Sequence, residues 1–208
     1  MSTILEFLGR GGPFMYPIGI VLILGLSITI ERWIFLTRAQ RENRRMWKEL
    51  QAKVDAGQVE QASELAASSD SAVGKVLALG LARAHGRTSR QDMESAMEES
   101  LLEVTPLLEK RTHYLATFAN IATLLGLLGT IIGLIRGFSA VANVDPAEKA
   151  NLLSASISIA MNTTAFGLMV AIPLLLLHTF LTTKTNDLID SLEMASVKFV
   201  NALSHRHG

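Results

Sequence analysis

The stretch Leu124-Leu125-Gly126-Leu127-Leu128-Gly129-Thr130-Ile131-Ile132-Gly133 decides the fold of this chain. It lies within a run of 22 residues, Tyr114 to Ile135, that contains no Asp, Glu, Lys, Arg or His. As a helix, at ~1.5 Å per residue, the run is about 33 Å long, close to the ~30 Å hydrocarbon core of a bilayer. The run therefore predicts a membrane-spanning helix in which glycines and one hydroxyl replace bulky side chains.

Two further runs have the same character. Gly11 to Ile30 is uncharged for 20 residues, and Asn151 to Thr183 has no formal charge over 33 residues, with His178 as the one titratable side chain. A cleaved signal peptide is a weaker interpretation of the first run, because no small-residue cleavage site follows it. We predict an all-α membrane protein with three transmembrane helices and long cytoplasmic extensions.

The charges beside the spans predict the orientation. Six cations follow the first span, namely Arg32, Arg38, Arg41, Arg44, Arg45 and Lys48. The connection between the second and third spans carries only Arg136 and Lys149, and cytoplasmic loops carry the excess of Lys and Arg. We therefore expect a periplasmic N-terminus, a cytoplasmic C-terminus, and six segments: 1–31 with the first span, 32–113 cytoplasmic, 114–139 the second span, 140–150 a periplasmic loop, 151–183 the third span, and 184–208 a cytoplasmic helix.

The extramembrane parts have helical patterns. Gly57 is predicted to end the helix that continues from the first span. From Arg90 onward the pattern runs into the second span with Pro106 as its one expected kink. After Lys184, apolar residues at helical spacing predict that the third helix continues beyond the membrane; they are Leu188, Leu192, Ala195 and Phe199.

Small residues form stripes on the second and third spans. Such stripes let helix backbones approach closely, which is the usual basis of helix association in lipid. Helix packing could be the only role of these stripes. The residues predicted to pack are Gly126, Gly129, Gly133 and Gly137 on the second span and Ala160, Gly167, Ala171 and Pro173 on the third.

Polar side chains lie within the same spans and are candidates for an ion pathway. They are Thr130, Asn162, Thr163 and Thr164. A polar group at that depth is costly unless it bonds across helices or meets water, so a protein-lined or wet surface is expected for it. Alternatively, a threonine hydroxyl can return to the carbonyl four residues back and remain structurally idle.

These residues carry a resemblance. Gly11 to Pro17, Glu31-Arg32, Leu124 to Gly133, and Thr163 to Leu168 with Ala171-Ile172-Pro173 occur in this order over nearly the whole chain. Together they resemble the MotA/TolQ/ExbB ion-channel family, and most of all ExbB. The resemblance implies a homopentamer whose second and third spans line a pore around the single helices of an ExbD- or TolR-like partner. Ion passage at a partner aspartate would then drive work on a TonB-like periplasmic effector.

The resemblance also implies roles for single residues. Thr130 and Thr164 match the pore threonines and would face the partner's aspartate. Thr123 stands where family members often have proline, and Ile159 where ExbB proteins commonly have glutamate. Neither pore span contains a carboxylate, so the partner must supply the titrating acid. Thr163 beside Thr164 adds an oxygen that suits a hard cation, which leaves sodium open as an alternative to protons.

Other functions have less support in the sequence. No nucleophile, metal cluster or phosphate-binding loop is visible, so we expect no enzymatic activity, no metal and no cofactor. Equal numbers of basic and acidic residues, 19 each, argue against a nucleic-acid partner. A passive membrane scaffold stays open, whereas a solute transporter is disfavoured by the lack of an inverted repeat. TonB-type import is our preferred role, with TolQ-type envelope maintenance as its alternative.

Overall fold

The computed structural model describes residues 12–84, 90–142 and 144–204, and regular structure in those ranges is helical throughout. Within these ranges, three stretches are long and apolar enough to cross a membrane: Met15–Asp55, Arg90–Val141 and Pro146–Ala202. This confirms the prediction of an all-helical chain with three long apolar helices. The elements are α1 (Met15–Asp55), α2 (Val59–Ala67), α3 (Ala72–Ala84), α4 (Arg90–Glu109), α5 (Tyr114–Val141) and α6 (Pro146–Ser204).

The chain divides into two compact units. The first contains the described residues up to Ile30 and Arg111–Phe180, which are the first part of α1, all of α5 and the first part of α6. Its buried side chains are mostly small or aliphatic, whereas many of its large apolar side chains are exposed, Leu124 by 62% and Leu176 by 68%. An apolar exterior of this kind fits a lipid environment or neighbouring protein chains.

The second unit comprises Glu31–Lys110 and the chain from Leu181 onward. Within it, α3 packs against α2 and α4. The apolar residues predicted in the tail, Leu188, Leu192, Ala195 and Phe199, are all buried, with at most 5% of their surface exposed. Helix α6 continues through them to Ser204 without a break, as the pattern predicts.

The exposed face of α1 in this unit carries ion pairs at helical spacing. Arg38 Nε donates to Glu42 Oε1 at 2.7 Å, and Arg45 Nε donates to Glu49 Oε1 at 2.9 Å. In both pairs the hydrogen bond, and then the charge of the glutamate, raises the pKa of the arginine above its ordinary value. These side chains are solvated, so the pairs contribute to helix stability only modestly.

Gly57 ends the first helical run, as predicted, because it adopts a positive φ of 81°. The Gln58 N–H donates to the Lys53 carbonyl at 2.9 Å and the Gly57 N–H donates to the Val54 carbonyl at 3.0 Å. This pair of hydrogen bonds is the Schellman arrangement, in which a residue without a β-carbon closes the helix end.

Pro106 lies inside α4 and does not end it. The helix is interrupted later, at a place the sequence pattern did not indicate, between Glu109 and Tyr114, where Arg111 has a φ of 68°. The reason lies on α1, where Arg32 is only 2% exposed and its Nη2 donates to the Leu108 carbonyl. This bond satisfies a carbonyl of the last turn from outside the helix, so α4 can end there.

A short connection joins α5 to α6. Helix α5 reaches Val141 and α6 begins at Pro146, so the predicted periplasmic segment 140–150 includes the last turn of α5 and the first turn of α6. Proline fits the first position of a helix because its missing N–H would have no partner there. The Asp145 carbonyl accepts the N–H groups of Glu148 at 3.0 Å and Lys149 at 3.3 Å, which closes the first turn.

Candidate functional site

Helices α5 and α6 meet along their stripes of small residues. A β-carbon added to Gly167 would lie 2.7 Å from the Ala122 carbonyl oxygen and 3.0 Å from the Gly126 Cα. Both neighbours are backbone atoms, which cannot move aside. The two backbones are therefore in direct contact here, and position 167 leaves no room for a β-carbon.

The contacts continue along both helices in opposite directions. Gly129 faces the Thr163 side chain, Gly133 faces Ala160, and Gly137 faces Ser156. A β-carbon on Gly133 would lie 2.9 Å from the Ala160 Cβ, and one on Gly137 would lie 2.6 Å from the Ser156 Cβ. The predicted stripes thus pack against each other within one chain as an antiparallel pair.

This packing brings Thr130 and Thr164 together. Their Oγ1 atoms are hydrogen-bonded to each other, and both side chains are half-buried. The Gly126 carbonyl lies within hydrogen-bonding distance of both hydroxyls, 2.9 Å from Thr164 Oγ1 and 3.3 Å from Thr130 Oγ1. Each hydroxyl has one hydrogen, so when the two are bonded to each other only one of them donates to this carbonyl. Thr130 Oγ1 also lies 3.5 Å from the Ala160 carbonyl. The two hydroxyls form one small network between α5 and α6.

The other predicted residues take different positions. Thr163 is 1% exposed; its Cγ2 faces Gly129 and its Oγ1 donates to the Ile159 carbonyl at 3.0 Å. The Thr163 hydroxyl therefore donates to a carbonyl of its own helix, whereas the Thr164 hydroxyl donates to a carbonyl of α5. Asn162 is half-buried, Ala160 and Ala171 are buried, and Pro173 is exposed within α6.

Sequence reasoning missed the Gly126 carbonyl as a part of this network. The signal was present, because Gly126 lies four residues before Thr130, where a threonine hydroxyl reaches back along its helix. Sequence reasoning also missed a cavity of about 160 Å³ beside the same helices. Six of the residues that line it are Gly12, Phe14, Gly129, Arg136, Ser156 and Thr163.

The network consists of uncharged donors and acceptors. Two hydroxyl hydrogens are available to the acceptors around them, so either hydroxyl can turn toward a new acceptor while the other keeps its bond. Neither the run 114–135 nor the run 151–183 contains an Asp or a Glu. Among the described residues, no group of His, Cys, Asp or Glu could hold a metal ion. A carboxylate or cation at this place must come from elsewhere.

In the described residues, three helices long and apolar enough to cross a membrane, with a half-buried hydroxyl network between two of them, are typical of a helical multi-pass membrane protein. The model of the MotA/TolQ/ExbB proton channel family matches residues 68–194. The chain belongs to this family, as the sequence resemblance predicted.

Curated relatives agree with that assignment. The ExbB homolog of Methanothermobacter thermautotrophicus, named a biopolymer transport protein, is 29% identical over 195 residues, which cover 93% of this chain and 68% of the relative. The ExbB-like protein 1 of Synechocystis is 31% identical over 189 residues, 89% of this chain and 72% of the relative. The ExbB protein of Aquifex aeolicus is 34% identical over 80 residues, 38% of this chain and 53% of that protein.

Proposed function

We propose that this chain is the channel-forming subunit of a motor driven by an ion gradient. Five copies surround the single helices of an ExbD- or TolR-like partner, and proton passage at the partner's aspartate is converted into work on a TonB-like effector. The work supports import across the outer membrane. The family membership supports the class of protein, and the network of Thr130, Thr164 and the Gly126 carbonyl is the observation that carries the mechanism.

The mechanism starts from the cost of burying a carboxylate. An unpaired charge in a membrane interior costs several kcal/mol, about 3 or more, so a partner aspartate must be protonated or must accept hydrogen bonds. Thr130 and Thr164 can supply those bonds. One hydroxyl turns from Gly126 toward the carboxylate, while the other hydroxyl keeps its bond to the Gly126 carbonyl.

The strength of these bonds then sets how easily the aspartate releases its proton. Donors that favour the ionised form lower the pKa of a carboxyl group, so the threonines would ease proton release when the aspartate faces them. The step requires no covalent chemistry and no cofactor. It also explains how a chain without a carboxylate in either run can take part in proton transfer.

The test removes each hydroxyl and keeps its shape. Thr130→Val and Thr164→Val should assemble with the partner, because valine fills the same volume, and should lose most of the gradient-driven activity. Thr123→Val is the matched control on α5, since the Thr123 hydroxyl donates to the Ala119 carbonyl of its own helix at 3.1 Å. Energised transport is measured with the partner and effector in one membrane.

The outcomes separate the alternatives. Full activity in both valine variants would contradict the mechanism and favour a passive scaffold. Activity that strictly requires sodium would show that the transported ion is sodium and not the proton, as in a sodium-driven stator of the family. Activity with a Tol-type effector rather than a TonB-type effector would assign the chain to envelope maintenance.

A further inference from the structure

The interruption between α4 and α5 combines two unfavourable features at adjacent residues. Arg111 has a φ of 68°, in the left-handed region that residues with a β-carbon rarely adopt. Thr112 is 5% exposed, and its Oγ1 is buried and meets no acceptor among the described residues. A buried hydroxyl normally has a partner, and strained backbone is typical of segments that switch between conformations. Only residues 110–113 separate the two helices.

The other threonines of this chain show which acceptor is missing. Several of them donate to the carbonyl four residues earlier in the same helix, namely Thr29, Thr123, Thr163 and Thr185. For Thr112 the corresponding carbonyl belongs to Leu108. In the structure the Leu108 carbonyl accepts from Arg32 Nη2. The Thr112 hydroxyl therefore lacks the acceptor that it would have in an uninterrupted helix.

The Leu108 carbonyl cannot serve all of these donors at once, because it has two lone pairs. If Arg111 adopted helical dihedral angles, the N–H and the hydroxyl of Thr112 would both donate to this carbonyl. No lone pair would then remain for Arg32. The bond from Arg32 and the continuous helix are thus alternative arrangements of the same carbonyl.

Each arrangement has features that favour it. The interrupted helix has a hydrogen bond from a buried guanidinium, and such bonds are stronger than those between neutral groups. The continuous helix removes the strain at Arg111 and gives the buried hydroxyl a partner. In that arrangement Arg32 can keep its contact with the Phe35 ring, whose centroid lies 4.6 Å from the guanidinium carbon. The opposing contributions are of similar size, which is the condition for a two-state element.

We propose that residues 110–113 form a conformational switch in which Arg32 and Thr112 compete for the Leu108 carbonyl. In one state α4 and α5 are separate helices, and in the other state they are one helix from Arg90 to Val141. The switch lies in the backbone of a single chain. It does not depend on the proposed motor function, and it would also operate in a passive scaffold.

A single amide can report the state of the switch. Thr112 and His113 form the only Thr-His pair in the sequence, so ¹³C-carbonyl threonine combined with ¹⁵N-histidine labels one peptide bond. Its resonance is measured by solid-state NMR on the full-length chain in lipid bilayers. Arg111→Gly favours the positive φ and should hold the interrupted state, whereas Arg111→Ile should hold the continuous state, because a β-branched residue is strained at that φ. The two variants should give different His113 resonances, and the parent should exchange between them.

The Thr112 hydroxyl is tested by a variant of the same shape. Thr112→Val removes the donor that only the continuous state uses, and it should lower the population of that state by about tenfold relative to the parent. Carbonyl-labelled valine then replaces labelled threonine. Thr123→Val is the matched control, since the Thr123 hydroxyl donates within α5. Lys110→Ile places the β-branched side chain at the neighbouring exposed residue and should leave the His113 resonance at the parent positions.

Three results would overturn the proposal. The first is the same His113 resonance in Arg111→Gly and Arg111→Ile, because the backbone at residue 111 would then not select between two states. The second is a parent that shows no exchange in a measurement that detects a minor state of about 1%. The third is an equal population of the continuous state in Thr112→Val and the parent, because the hydroxyl would then have no role.

Discussion

At the residue scale, Gly167 shows how little space separates α5 from α6. Replacing it with alanine places a β-carbon 2.7 Å from the Ala122 carbonyl oxygen, so the backbones must move apart. We expect Gly167→Ala to lower the stability of the first unit by about 1–3 kcal/mol, the usual range for overpacking. The measurement is thermal unfolding in nanodiscs followed by circular dichroism.

Gly19→Ala is the matched control for that experiment. Gly19 lies inside α1, and a β-carbon there would meet nothing within 4 Å. Because alanine is favoured over glycine in a helix by about 0.5–1 kcal/mol, this variant should melt at or above the parent temperature. Equal melting of Gly167→Ala and the parent would show that the helices are not in backbone contact.

Arg32 stabilises the end of α4 from another helix. Its guanidinium lies 4.6 Å from the Phe35 ring centroid, and its Nη2 donates to the Leu108 carbonyl. Arg32→Met keeps much of the apolar stem but leaves the carbonyl without this donor, so we expect a loss of about 2 kcal/mol. Arg41→Met, at an exposed position of the same helix, should change the melting temperature little. The prediction fails if the two variants melt alike.

At the element scale, the end of α1 depends on one backbone conformation. Gly57 has a φ of 81°, where an added β-carbon meets the following carbonyl. Gly57→Ala should therefore lower the free energy of unfolding by about 1–2 kcal/mol, and Gly57→Asn should cost less because asparagine tolerates this conformation. Hydrogen exchange of the Gln58 amide, which donates to Lys53, measures the change locally. Faster exchange in the asparagine variant than in the alanine variant would contradict this account.

The helix ends also show what sequence can predict. The helix end at Gly57 was predictable because glycine readily adopts the positive φ that ends a helix. The break between Glu109 and Tyr114 was not, since it depends on Arg111 in a conformation that arginine rarely adopts. It also depends on a bond from Arg32, which lies 76 residues away in the sequence. Pro106 was visible in the sequence but does not end its helix.

One part of the candidate site was likewise predictable from the sequence, and another part was not. The stripes of small residues predicted close packing, and that packing places Thr130 beside Thr164. The different orientation of the Thr163 hydroxyl was not predictable from composition, because neighbouring residues on a helix point about 100° apart and only the packed structure fixes which of the two hydroxyls bonds to α5. Likewise, the hydrogen bond from the Val73 N–H on α3 to Asn43 Oδ1 joins residues thirty apart and has no signal in the local sequence.

At the scale of the whole molecule, the distribution of apolar surface requires a non-aqueous environment or neighbouring chains. Leu124 on α5 and Met161 and Leu176 on α6 are each exposed by more than 60%. Large contiguous apolar patches are unusual on soluble monomers. Lipids and further copies of the chain could each cover this surface. In the proposed pentamer, one part of it would face lipid and another part would face neighbouring copies.

The topology can be tested directly because the chain has no cysteine. Single-cysteine variants at exposed Lys149 and exposed Gln51 should react oppositely with a membrane-impermeant maleimide. We expect Lys149→Cys to be labelled in spheroplasts and Gln51→Cys only after lysis, because six cations lie between Arg32 and Lys48, and such clusters remain in the cytoplasm. The unmodified chain is the blank, and total labelling in detergent corrects for intrinsic reactivity. Labelling of Gln51→Cys in intact spheroplasts, with protection of Lys149→Cys, would reverse the predicted orientation.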